Sequence, residues 1–120
     1  MEVWVCRREE LRPGIVRTAK LGHDDQGLPI MALLLLDDRG AIVAYRNLCR
    51  HLPMPLDGGT GKLLSEDGAH LVCGTHGATY RLRDGYCVDG PCEGLTLHRL
   101  RVREDGGDLY VSDRAKVRSK

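Results

Sequence analysis

Apolar residues in this chain come in short runs divided by Gly, Asp, Asn and Pro, and almost no stretch repeats them at helical spacing over a helix length. The pattern predicts an all-β fold. Strands are expected over residues 3–7, 15–21, 29–36, 41–46, 70–73, 79–83, 86–88, 97–103 and 109–111. Turn residues separate them: Arg12-Pro13-Gly14, then residues 23–27, 37–40 and 104–108. Asp84-Gly85 is a hairpin signal of the same kind. One helical turn near residues 8–11 is the only helix expected. Residues 33–36 are all Leu, without alternation, so that strand reads as buried on both faces. Residues 97–103 alternate imperfectly, which places one of His98 and Arg99 outward.

Phe is absent and Trp occurs once, so the core must be built from Leu, Val, Ile and Met. The length of 120 residues fits one domain. It is expected over residues 1–112, with a basic tail at 113–120 carrying Arg114, Lys116, Arg118 and Lys120. A net charge of +1 gives no bulk electrostatic reason to bind nucleic acid or a membrane surface. The longest apolar run, residues 30–36, is far too short to span a bilayer. Charges appear among the first ten residues, where a secretory signal would place an apolar stretch. A cytoplasmic location is the expectation.

The chemistry concentrates in Cys49-Arg50-His51 and Cys73-Gly74-Thr75-His76. Each element supplies one thiolate and one imidazole. Two sulfurs and two nitrogens suit a [2Fe–2S] cluster with Cys on one iron and His on the other. They also suit zinc in a Cys₂His₂ tetrahedron. Common zinc fingers take both cysteines from one knuckle and both histidines from a helix, whereas here each element holds one of each. Two loops facing each other gather the cysteines at one pole and the histidines at the other, an arrangement better suited to a binuclear centre.

The flanks carry a family resemblance. His76 is followed by Gly77-Ala78-Thr79-Tyr80 and later by Gly90-Pro91; Asn47-Leu48 precedes Cys49, and Pro53, Pro55, Leu56 and Asp57 follow His51. The run ELRPG at residues 10–14 is similar to the family's first turn. On these residues the chain resembles the Rieske-type [2Fe–2S] ferredoxins, of the soluble, oxygenase-associated kind. The resemblance implies a Rieske-like antiparallel β-sandwich or barrel, with a cluster-binding subdomain of two loops within about residues 47–92. It implies that Cys49 and Cys73 hold one iron and that His51 and His76 hold the other through Nδ1. Gly74 and Gly77 would let the backbone wrap closely, and Gly90-Pro91 would form a third wall. High-potential relatives carry a Ser two positions after the second His and a Tyr four positions after it; here these are Ala78 and Tyr80. Those relatives also have a cysteine in each loop, and residues 52–56 and 74–75 hold none. Both differences imply a low-to-middle potential within the Rieske range of about −150 to +300 mV. The departure from the family is the long spacer, residues 52–72, whose extra residues are expected at 60–69 as an added hairpin or loop.

Three cysteines remain. Cys6 reads as core of the first strand, Cys87 as a strand residue and Cys92 as a loop residue near the cluster, with a Cys87–Cys92 redox pair as the alternative. His23, His70 and His98 lie outside ligand spacing, and His23 reads as a surface turn residue. The implied function is one-electron transfer from a flavin reductase to an oxygenase, without enzymatic activity of its own. No segment is seen for the two-His-one-carboxylate iron of a terminal oxygenase. Two alternatives remain: a small Rieske-like subunit of a larger reductase of the nitrite reductase type, and a Cys₂His₂ zinc module. Arg50, Leu52, Pro53, Met54 and Thr75, beside the ligands, are the expected contacts for redox partners.

Overall fold

The computed structural model describes residues 2–48, 64–65, 70–73, 78–90 and 94–113. Among them, nine strands form three antiparallel sheets. The strands are β1 (Glu2–Arg7), β2 (Arg17–His23), β3 (Pro29–Leu36), β4 (Ile42–Arg46), β5 (His70–Val72), β6 (Thr79–Arg81), β7 (Cys87–Asp89), β8 (Arg101–Asp105) and β9 (Asp108–Ser112). The sheet orders are β1-β9-β8, β2-β3-β4 and β5-β6-β7. A single 3₁₀ turn, Arg8–Glu10, follows β1, where one helical turn is expected from the sequence.

The β2-β3-β4 sheet is shared between two cores. Leu33 and Leu35 of β3 stand opposite Tyr45 and Val43 of β4, and all four enter the core that contains β5-β6-β7. Ile30, Ala32 and Leu34 point the other way, with Leu21 and Ala44, into the core capped by Leu109 and Val111 of β9. The run of leucines is therefore not a failure of alternation. Both faces of β3 meet apolar neighbours, so both carry apolar side chains.

Two bulges adjust the ladders. In β1, Trp4 pairs with Tyr110 and Cys6 with Leu109, leaving Val5 as the extra residue, and both Val5 and Cys6 are buried. In β2 the register shifts between Lys20 and Gly22. Two aspartates build the turns around β3. The Asp24 carboxylate accepts the N–H groups of Gln26 and Leu28, and that of Asp37 accepts those of Arg39 and Ala41. The β8–β9 turn is two residues long, Gly106 at φ 60° and Gly107 at φ 92°, a conformation that favours glycine at both positions.

Three sequence expectations are corrected. The second strand starts at Arg17 rather than residue 15, because the turn bond from Ile15 N–H to the Arg12 carbonyl holds Ile15 out of the ladder. His23 is exposed, but it closes β2 instead of sitting in the turn. The strand expected from residue 97 begins at Arg101. Residues 96–100 cross between sheets: Thr96 bridges to Tyr86, Arg99 bridges to Tyr45, and Leu100 donates its N–H to the Ala44 carbonyl at 2.9 Å. In that crossing Leu97 and Leu100 are the buried residues, and His98 and Arg99 both face out. The inward spacing is three because the segment changes partner midway.

Candidate metal centre

The β5–β6 hairpin carries the second Cys/His element. Its ladder ends at the pair Val72 and Thr79, and the Cys73 N–H then donates to the Ala78 carbonyl at 2.7 Å. That bond pins the base of a loop whose other residues, 74–77, lie outside the described ones. Cys73, Ala78 and Tyr80 are at most 1% exposed and share one core with Leu71, Cys87 and Leu97. A thiolate at Cys73 therefore sits at the inner end of its loop, shielded from water. Its loop partner His76 lies outside the described residues, as do Cys49, His51, Gly77 and Pro91.

The approach to the first element is anchored from both sides. Asn47 donates its N–H to the Met31 carbonyl at 2.7 Å, holding the chain against β3 as it leaves β4. Arg46 reaches back to Asp24 at 3.1 Å in a largely buried ion pair. The Asp24 carboxyl is held below the usual carboxylate range, first by the Leu28 N–H and then by the Arg46 guanidinium.

Tyr45 joins the two sheets behind the site. Its hydroxyl donates to the Leu82 carbonyl at 2.6 Å, across the boundary between β4 and the β6–β7 turn. It is fully buried, and burial pushes its hydroxyl well above the usual tyrosine range. Gly85 presses on the ring: a Cβ there would lie 2.8 Å from Tyr45 Cε1, and its φ is +74°. The hairpin signal at Asp84-Gly85 is thus correct, and its glycine also serves the Tyr45 contact. The loop after β7 is closed at Cys87, whose N–H donates to the Leu95 carbonyl at 2.7 Å and whose carbonyl accepts from Gly94 at 3.2 Å. Gly90 opens this loop at φ 97°, with its N–H on Asp89 Oδ1 at 2.9 Å. The Cys87 thiol is free and donates to the Asp89 carbonyl at 3.2 Å; Cys92, its expected alternative partner, lies outside the described residues.

The sequence matches the model of the Rieske [2Fe–2S] domain over residues 1–101. The chain belongs to the Rieske [2Fe–2S] domain family. Solved structures agree at the level of fold. One is a chain of the reduced oxygenase–ferredoxin complex of carbazole 1,9a-dioxygenase, with TM-score 0.71 and 23% identity, matched over 93% of this chain and 28% of that one. The ferredoxin of carbazole 1,9a-dioxygenase from Nocardioides aromaticivorans IC177 matches with TM-score 0.66 and 24% identity, over 95% and 99% of the two chains. The terminal oxygenase of carbazole 1,9a-dioxygenase from Novosphingobium sp. KA1 matches with TM-score 0.65 and 23% identity, over 92% of this chain and 29% of that one. This chain thus spans less than a third of the matched chain of the complex and of the terminal oxygenase. A comparison with curated proteins finds no match.

A Rieske domain binds a [2Fe–2S] cluster, and the donors here fit one. Two thiols and two imidazoles stand in the two elements, and the one candidate ligand within the described residues, Cys73, is buried, with its N–H on the Ala78 carbonyl. Among the described residues, no group of three or more His, Cys, Asp or Glu forms another metal site. No described helix is long and apolar enough to cross a membrane. Within the long spacer, the described residues Leu64 and Ser65 pair with β5. Leu64 bridges to Leu71, and Ser65 and His70 exchange two bonds, Ser65 N–H to the His70 carbonyl at 2.9 Å and His70 N–H to Ser65 Oγ at 3.2 Å. Part of the expected added hairpin is therefore present at the free edge of β5; residues 60–63 and 66–69 lie outside the described residues. Tyr45 and Gly85 are contributors the sequence reading missed. Only the spacing of an inward Tyr in β4 hinted at the first, and nothing local identified its partner.

Proposed function

We propose that this Rieske domain is a one-electron carrier, taking an electron from a flavin reductase and delivering it to an oxygenase in the cytoplasm. The ligands in this reading are Cys49 and Cys73 on one iron and His51 and His76 on the other, and the domain occupies residues 1–112. When bound, the cluster supplies a one-electron couple at the domain surface. The burial of Cys73 in one core with Leu71 and Tyr80 supports its role at the inner iron, and in this reading the histidines are the edge offered to the partners. Arg50, Leu52, Pro53, Met54 and Thr75 make the contact surface, and Gly77, Gly90 and Pro91 line the cluster.

The observation that carries this reading is the Rieske family match over residues 1–101, and the fold likeness to the ferredoxin of carbazole 1,9a-dioxygenase from Nocardioides aromaticivorans IC177 supports it. β9 ends at Ser112, which supports the domain boundary. Ala78 lacks the hydroxyl of high-potential relatives, which supports a potential in the low-to-middle part of the family range of about −150 to +300 mV.

The test is direct. Purified protein is expected to be red-brown, to hold two irons per chain, and to give a rhombic EPR signal with low average g on reduction. Cys73→Ser is expected to abolish the signal, because its thiolate is one of the four ligands. A colourless protein holding one zinc per chain overturns the reading in favour of a structural zinc module. A genuine cluster reduced only as part of a larger reductase supports the reductase-subunit alternative instead.

A further inference from the structure

β4 and β8 run side by side only briefly. Arg46 donates its N–H to the His98 carbonyl and Leu100 donates to the Ala44 carbonyl, each at 2.9 Å. Beyond that point the two strands diverge. Each is the outer strand of its sheet, β4 in β2-β3-β4 and β8 in β1-β9-β8. A groove of about 240 Å³ opens between them, lined by Ile42, Ala44, Arg99, Arg101 and Val102 among others.

The walls of this groove offer backbone bonds. Just before β8 the Leu100 N–H points at β4, and strand alternation turns the N–H and carbonyl of Val102 in β8 the same way, while Arg101 and Arg103 turn theirs toward β9. In β4 the Ala44 carbonyl points at β8, so the backbone groups of Ile42 do as well. The Leu100 N–H and the Ala44 carbonyl bond each other, and the outward groups of Val102 and Ile42 beyond them are the ones open to an added strand.

The walls are also positively charged. Arginines in the surrounding sheets are mostly paired: Arg7 with Asp108, Arg17 with Glu10, Arg46 with Asp24, Arg83 with Asp38, and Arg103 with Glu2. Arg99 and Arg101, both exposed, make no ion pair among the described residues. The Glu2 carboxylate, which feels the field of Arg101, is already held by Arg103 at 2.9 Å. Two exposed guanidiniums that make no ion pair among the described residues, beside an open strand edge, select an extended segment carrying carboxylates. The chain's own tail, with Arg114, Lys116, Arg118 and Lys120, has the wrong charge for this groove.

We propose that the groove between β4 and β8 is a docking site for an extended acidic segment of a partner protein, which adds as a strand with its carboxylates on Arg99 and Arg101. This does not depend on how the cluster is ligated.

The test uses the cluster-loaded protein and a labelled peptide of alternating Glu and Val. Fluorescence anisotropy is expected to show saturable binding that weakens with salt. Arg99→Ala with Arg101→Ala is expected to weaken it by about three- to thirtyfold, the scale of two exposed ion pairs. A peptide of the same sequence, N-methylated at alternate positions to block strand pairing, is expected to lose the binding. Hydrogen exchange is expected to slow in residues 42–44 and 100–104 when the unmodified peptide is present. The visible spectrum of the double variant confirms that it is folded. Equal binding of the N-methylated peptide, or protection elsewhere, reduces the site to a nonspecific anion patch and overturns the proposal. No binding at all overturns it too, leaving the arginines as guards of an open edge.

Discussion

Ala78 is completely buried in one core with Cys73, so a hydroxyl added there probes whether this position reaches the cluster. Ala78→Ser restores the group found at this position in high-potential relatives. If the hydroxyl donates to a cluster sulfur, the midpoint potential rises, as direct voltammetry would show. If it finds no acceptor, the potential stays put and the protein loses about 1–3 kcal/mol for an unpaired buried hydroxyl. Gly85 makes a second prediction. Gly85→Ala must take φ +74° and push a methyl into the Tyr45 ring, 2.8 Å away. A loss of about 1–3 kcal/mol is expected in denaturant titration, and an unchanged midpoint would mean that the ring moves freely. Neither residue advertises itself locally. Ala78 is informative only against the family pattern, and Gly85 reads as an ordinary turn glycine until Tyr45 is placed over it.

Strand β3 separates the two cores, and that gives neighbouring residues different meanings. Leu33 and Leu34 are both fully buried, so Leu33→Ala and Leu34→Ala should each cost about 2–5 kcal/mol. Only Leu33 shares a core with Cys73 and Tyr80. Its truncation is expected to alter the EPR line shape and the potential as well as stability, while Leu34→Ala leaves both spectroscopic quantities alone. Identical spectra for the two variants would show that the cores are not independent. The hairpins of β3–β4, β6–β7 and β8–β9 were legible because each has local turn chemistry. The segment 96–100 was misread because it leaves one sheet for another, and no local pattern encodes a change of partner.

For the molecule as a whole, acid is the condition that should weaken it. Asp24 is held below the usual carboxylate range by backbone N–H groups and Arg46, Asp38 chiefly by Arg83, and Asp84 chiefly by Arg81. The native state therefore binds fewer protons than the unfolded chain near the carboxylate pKa values. Their contribution is complete above about pH 4 and is lost as pH falls below it. The denaturant midpoint should be level from neutral pH down to about pH 5 and fall below about pH 4. A midpoint that rises on acidification contradicts this reading. Loss of visible absorbance, followed in parallel, separates cluster release from unfolding.

The β class, most turns and the burial of β3 on both faces can be read from the chain alone. These are local matters: alternation and turn residues are written in consecutive positions. That the leucines of β3 serve two separate cores, that Tyr45 bonds to Leu82 across two sheets, and that residues 96–100 switch partners emerges from the fold. The fold also leaves Arg99 and Arg101 without an ion pair among the described residues, beside the outer strands β4 and β8. These depend on which strands meet, and the free energy of such meetings comes from surfaces far apart in the chain, where no short window of sequence records it.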